Sequence, residues 1–141
     1  MNAENSYLSS DIFMNKQIII TASLMGMLAV ITGAFGAHGL QGLLSQRNLE
    51  VWHTAVQYQF YHVFALLFLS TCSRFKSGYI AACYYLFTFG ILLFSGSLYL
   101  LSCRDLLGWP WLRIMGPITP VGGLLFIAGW LTLGIAAFKN K

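Results

Sequence analysis

The sequence predicts an all-α membrane protein in which four apolar helices pack antiparallel as a bundle, with a short interfacial segment before the last. Two observations carry this. Of the 141 residues 57% are hydrophobic and 9% charged, where a soluble domain runs near 25% charged, so too few charges remain to clothe a water-facing surface. The acids, Glu4, Asp11, Glu50 and Asp105, also stand outside long stretches that carry no charge at all, as a hydrocarbon layer demands.

The N-terminal residues, 1–15, are polar and without a strong period, and are expected to form a mobile tail on the water side. Met14-Asn15-Lys16 is a second plausible start. A signal peptide is the competing reading, since Lys16, an apolar run and the cluster Gly33-Ala34-Phe35-Gly36-Ala37 follow in the right order. The run is about 20 residues long, enough to span, which favours a retained helix. The rest, residues 16–141, reads as one transmembrane domain.

Span one covers residues 18–37, roughly 30 Å at 1.5 Å per residue. After the charged piece around Arg47 and Glu50, span two covers residues 51–71, amphipathic at first and wholly apolar from Val63. A brief basic connection, residues 72–78, forces span three, residues 79–101, to return antiparallel beside it. Residues 102–116 carry Arg104, Asp105, Arg113 and Trp109-Pro110-Trp111, which suit the headgroup level. Thr119 as N-cap and Pro120 in the first turn then open span four, residues 120–138. Lys16, Arg74, Lys76, Lys139 and Lys141 gather at one end against Arg47, Arg104 and Arg113 at the other, which puts both termini in the cytoplasm of a cell with an inner membrane.

The formal net charge of +4 does not indicate a nucleic-acid partner, because the bases flank apolar blocks singly or in pairs. Cys72, Cys83 and Cys103 have no metal or disulfide spacing and read as packing residues. Helices in lipid associate through close contact and polar pairing, and span one offers a small-residue stripe for it: Ala22, Gly26, Ala29, Gly33 and Gly36, four, three, four and three apart. Gly122, Phe126, Gly129, Leu133 and Ala136 of span four and Ser95-Gly96-Ser97 of span three are its expected partners. Use of the stripe within the chain is favoured over a homodimer.

The densest polar stretch is Trp52-His53-Thr54-Ala55-Val56-Gln57-Tyr58-Gln59-Phe60-Tyr61-His62. On a helical wheel His53, Thr54, Gln57, Tyr58, Tyr61 and His62 share about half the circumference, with Gln59 on the apolar side. Polar side chains are costly in a membrane, so the arc is expected to face the bundle or a watery cavity. With His38, level with His53 across the first turn, it forms a candidate polar pocket. A bis-histidine haem between His38 and His53 lacks an attachment motif, and no cofactor or metal is expected. The bland alternative for each histidine is a hydrogen-bonded bundle residue. No span contains Asp or Glu, which disfavours proton-coupled drug export.

The chain resembles the family of domain of unknown function 423, small inner-membrane proteins related to transmembrane protein 256. The resemblance rests on Gly33-Ala34-Phe35-Gly36-Ala37-His38-Gly39-Leu40, on the Trp52 to His62 stretch, on Phe94-Ser95-Gly96-Ser97-Leu98-Tyr99-Leu100-Leu101, and on Ile118-Thr119-Pro120-Val121-Gly122-Gly123 with Gly129-Trp130. It implies a four-span inner-membrane protein and no reaction, ligand or catalytic residue; the polar lead-in before Met14 is longer than the family's. The leading expectation is a non-enzymatic accessory, assembly or lipid-associated protein, its partners membrane lipid and other membrane proteins or itself. The rival is a site for a quinone-like or other small amphipathic molecule beside the polar arc and the Gly33 to His38 turn. A small-solute permease, the third reading, needs an open polar path through the bundle.

Overall fold

The computed structural model describes residues 3–72 and 77–139, with side chains from Met14 onward. All regular elements among them are helical: α1 (Ala3–Ala34), a π-helical turn (Phe35–Gly39), α2 (Gln46–Leu69), α3 (Ser77–Ser102), a short α4 (Arg104–Leu107), a 3-10 turn (Pro110–Met115) and α5 (Ile118–Lys139). Three stretches are long and apolar enough to cross a bilayer: Met14–Gly39, Ser77–Ser102 and Pro110–Lys139, of mean hydropathy 2.2, 1.6 and 2.0. The second helix is comparably long but polar in its first half. Arg74, Lys76 and Lys141, three of the bases used to orient the chain, lie outside the described residues.

Helix α1 runs back to Ala3 through residues expected to be a polar tail, because adding turns to an existing helix costs far less than nucleating one. At its other end Leu40 N–H donates to the Phe35 carbonyl, five residues back, and the wider turn brings Gly36 under Trp52. Ser45 caps α2, its hydroxyl accepting from Asn48 N–H. Gly108 ends α4 with φ of 65°, a left-handed conformation that favours glycine. The following Trp109 and Trp111 stack 5.9 Å apart and are exposed, while Leu112, the next residue, is buried against the helices.

Residue pairs fix the helix directions. Gly26 faces Val63, Gly33 faces Val56 and Gly36 faces Trp52, so α1 and α2 are antiparallel. Thr21 meets Tyr84 and Thr32 meets Tyr99, so α1 and α3 are parallel. Gly90 lies under Phe126 and Gly129 under Phe87, so α3 and α5 are antiparallel. Among the described residues α5 packs on α3 and the 3-10 turn and not on α1 or, along its backbone, on α2. The helices therefore form an open row, α1 to α2 to α3 to α5, rather than closing round one axis.

Two packing expectations change. The stripe of α1 is used within the chain, but its partner is α2, not α3 or α5: Trp52, Val56 and Val63 fill the notches over Gly36, Gly33 and Gly26. A wide apolar side chain fits a small-residue notch better than another small residue does. The small residues of α5 do face α3, with Gly122 against the Phe94 backbone and Gly129 against the Phe87 ring. Thr119 does not serve as N-cap, since the helix starts at Ile118 and the Thr119 hydroxyl meets Ser97 Oγ at 2.7 Å. Cys83 is buried, its thiol 3.6 Å from the Gly129 carbonyl, in a packing role.

Candidate functional site

The open row leaves a groove between α2 and α5, floored by α3. Its walls are Tyr58, Tyr61 and His62 of α2 and Phe126, Ile127 and Trp130 of α5; Phe94 lies beneath, and Pro120, Gly123 and Leu124 form one end. The cavity is about 770 Å³. From Pro120 to Trp130 it runs ten residues along α5, about 15 Å, half the depth of a hydrocarbon layer.

His62 fixes the wall. Its ring lies flat on Phe126, centroids 3.4 Å apart and planes 7° from parallel. Nδ1 is 2.8 Å from the Tyr58 carbonyl, which can only accept, so Nδ1 carries the proton. Nε2 is then the acceptor for the Trp130 indole N–H at 3.3 Å. Both ring nitrogens are occupied, and the imidazole acts as a bracket between α2 and α5 rather than as a free base. The bland reading of His62 thus holds, with a tryptophan as its partner on the neighbouring helix. The Tyr58 and Tyr61 hydroxyls, on residues 39% and 57% exposed, make no hydrogen bond among the described residues and stand at the rim.

The rest of the expected pocket is not assembled. His53 and Gln57 are exposed on the far side of α2, and His38 is exposed on the π-helical turn. The His53 and Gln57 side of the arc faces outward because the opposite face, Trp52, Val56 and Val63, is drawn into the α1 notches, while Tyr58, Tyr61 and His62 reach the groove. The buried polar residue of α2 beside His62 is Gln59, the wheel's exception. Its Nε2 donates to the Met25 carbonyl at 2.8 Å and its Oε1 accepts from the Tyr99 hydroxyl at 2.8 Å. The Thr32 hydroxyl lies 3.0 Å from the Tyr99 hydroxyl and 2.9 Å from the Leu28 carbonyl, its single proton shared between the two oxygens. Trp52 Nε1 donates to the Thr32 carbonyl at 2.9 Å, and its ring packs on Tyr99 at 4.6 Å. Three helices are tied at one point. Sequence spacing named Gln59 as an anomaly; the signal for its role was its lying on the apolar side of a helix otherwise free of buried amides.

Near the other end of α3, Asp105 accepts from Arg104 Nε at 3.0 Å and from Asn48 Nδ2 at 3.3 Å, joining α4 to the first turn of α2. The Arg104 guanidinium first, then the Asn48 amide, holds the Asp105 carboxyl below the usual carboxylate range. No group of three or more candidate metal ligands occurs among the described residues.

Residues 32–123, the stretch that holds Thr32, Trp52, Gln59 and Tyr99 and the part of the groove up to Gly123, match the family described as protein of unknown function (DUF423). The chain belongs to that family. Among its relatives, the UPF0382 membrane protein of Staphylococcus haemolyticus is 47% identical over 124 residues, covering 88% of this chain and 97% of the relative. The one from Staphylococcus saprophyticus is 48% identical over 124 residues, covering 88% and 98%. YwdK of Bacillus subtilis is 42% identical over 126 residues, also covering 88% and 98%. No solved structure matches the chain. This DUF423 protein is accordingly a membrane protein, as the composition predicts, and the family resemblance read from its motifs is correct.

Proposed function

We propose that this DUF423 protein crosses an inner membrane four times with both termini in the cytoplasm, catalyses no reaction, and holds a small lipid-type or quinone-like amphiphile in the α2–α5 groove as part of an accessory role. The observation that carries the reading is the side-open aromatic cavity of about 770 Å³. Flat rings of Phe94, Phe126 and Trp130 suit a hydrocarbon chain or a planar ring, and the two tyrosine hydroxyls at the rim, without a hydrogen-bond partner among the described residues, suit a polar headgroup.

The direction of the helices supports four crossings. α1 and α3 run parallel, so if both cross the bilayer α2 has to carry the chain back between them; its 24 residues reach about 36 Å. Lys16 and Lys139 sit at one end of the row and Arg47, Arg104 and Arg113 at the other, in line with cytoplasmic termini. The absence of any Asp or Glu within the four spans is the ground for a protein without chemistry of its own.

Photolabelling in lipid vesicles tests the groove. A diazirine-bearing amphiphile is expected to label Ile127 and Trp130 saturably, competed by unlabelled amphiphile, with lipid-facing Leu131 and Ile135 labelled only in proportion to concentration. His62→Phe keeps the ring on Phe126 but frees the Trp130 indole, and should weaken saturable labelling severalfold. Equal, non-saturating labelling around α5 would remove the reading.

A further inference from the structure

The outward face of α2 carries a second, separate pattern. Glu50, His53, Gln57, Phe60, Phe64 and Leu67 are three, four, three, four and three residues apart, and each is exposed or half-exposed. That is an unbroken a/d heptad seam, the spacing that winds two helices round one another. Along its backbone α2 packs on α1, the π-helical turn and α3; Phe60 leans in part on the Leu40, Trp52 and Val56 cluster, while Glu50, His53, Gln57, Phe64 and Leu67 stay exposed among the described residues. The seam also points away from His62 and Tyr58, leaving the groove open.

We propose that a second copy of this chain packs along the seam, α2 against α2, to form a parallel two-fold dimer in the bilayer. This rests on the four-span reading, which places α2 in lipid, but not on the groove or its occupant. Copies inserted by the same charge rule share one orientation, so two α2 helices that meet are parallel and each a position faces its own equivalent. Gln57 occupies such a position. An amide supplies both a donor and an acceptor, so two Gln57 side chains across a two-fold axis satisfy one another, which a single Gln facing lipid cannot do. One polar a position of this kind selects a two-stranded register. Glu50, the a position one heptad before Gln57, comes opposite its own equivalent at the exposed, water-side end, where the two carboxylates are solvated and each lies one step from His53 of the partner subunit. Phe60, Phe64 and Leu67 complete the lower half with apolar contact. The other large surface suited to helix pairing, the glycine stripe of α1, is already filled by Trp52, Val56 and Val63.

The test uses the full chain in vesicles, with benzoylphenylalanine placed singly at positions 53, 57, 60 and 64 and, as outward-facing controls, at 124 and 131. The expected result is an adduct of twice the chain mass from the four seam positions and none from the controls. Monomer alone, equal adducts from all six positions, or an adduct of any other mass overturns the second-copy assignment. Gln57→Leu should raise the dimer dissociation constant about 3- to 30-fold and Gln57→Asn much less; an unchanged constant for Gln57→Leu overturns the amide pairing. If Gln57→Cys, with Cys72, Cys83 and Cys103 replaced by alanine, reacts with a membrane-impermeant thiol reagent, the four-span reading fails and the seam with it. A protected Gln57→Cys that stays monomeric removes the seam alone.

Discussion

Towards α1 and α2, helix α3 presents the hydroxyls of Tyr84 and Tyr99; towards α5 it presents chiefly glycine and aromatic rings, with one hydroxyl contact, Ser97 on Thr119, at the end of the junction. The first junction is closed. Gln59, Tyr99, Thr32 and Trp52 each have their polar groups engaged, and glycine notches on α1 let α2 approach. The second is tight only along one line, Gly90, Gly122 and Gly129 against Phe126, Phe94 and Phe87, and beside that line it stands open as the groove. In lipid, where apolar burial adds little to helix association, the difference has a physical meaning. Directional polar bonds fix three helices at a point, whereas ring stacking leaves room for a foreign chain to lie alongside.

The largest expected effect separates the two properties within the second junction, using neighbouring glycines. A Cβ at Gly122 would meet the Phe94 backbone, which cannot yield, while at Gly123 its first neighbour is the Phe94 ring at 3.8 Å. Gly122→Leu should therefore force α5 from α3 at a cost near the top of the ~1–3 kcal/mol range for overpacking, read as lost resistance to detergent unfolding. Gly123→Leu should leave stability nearly unchanged yet fill the groove and abolish saturable amphiphile labelling. If both lose stability equally, the groove has no independent existence.

Gln59→Leu probes the closed junction and should be milder. It leaves the Tyr99 hydroxyl without its acceptor, at about 1–2 kcal/mol given the usual cost of an orphaned polar group and the modest strength of such bonds in membranes. The check is the same unfolding titration, with amphiphile labelling as the control: labelling should survive, because the groove does not use Gln59. Its loss would mean the two junctions are one unit.

Much of this was legible from residue pattern. Uncharged lengths located the apolar helices, and the α1 stripe and the Gly122 and Gly129 positions were named as contact surfaces because small residues at helical spacing have few other uses in lipid. What could not be read was pairing. Helix order along the chain does not reveal that Trp52, Val56 and Val63, large residues on an amphipathic helix, are what the stripe receives. From that single choice the rest follows: Gln59 turns inward, His53 and Gln57 turn outward, and only Tyr58, Tyr61 and His62 of the expected pocket reach a cavity. Phe94 and Phe126 carry no polar signal and Trp130 only its indole N–H, and their convergence depends on how α5 sits on α3, which residue spacing within either helix leaves open.

The smallest expected effect asks whether the closed junction is held from its outer end. Asp105 ties α4 to α2 through Asn48, and its carboxyl is held low chiefly by Arg104 and then by Asn48. A lowered folded value means the tie is fully present above the usual carboxylate range and is lost as pH falls through the lowered value. Between neutral pH and mild acid, then, nothing should change. On further acidification the Asn48 side-chain amide resonance should titrate with a midpoint below that of an ordinary aspartate, and in Asp105→Asn it should not titrate at all. The Trp52 indole resonance reports the junction itself, because its N–H is bonded to the Thr32 carbonyl. If that resonance stays fixed while Asn48 moves, the bonds around Gln59 stand without the surface tie. If both move together, the exposed carboxylate is part of what keeps α1, α2 and α3 closed, and the contrast with the open groove begins at the membrane surface.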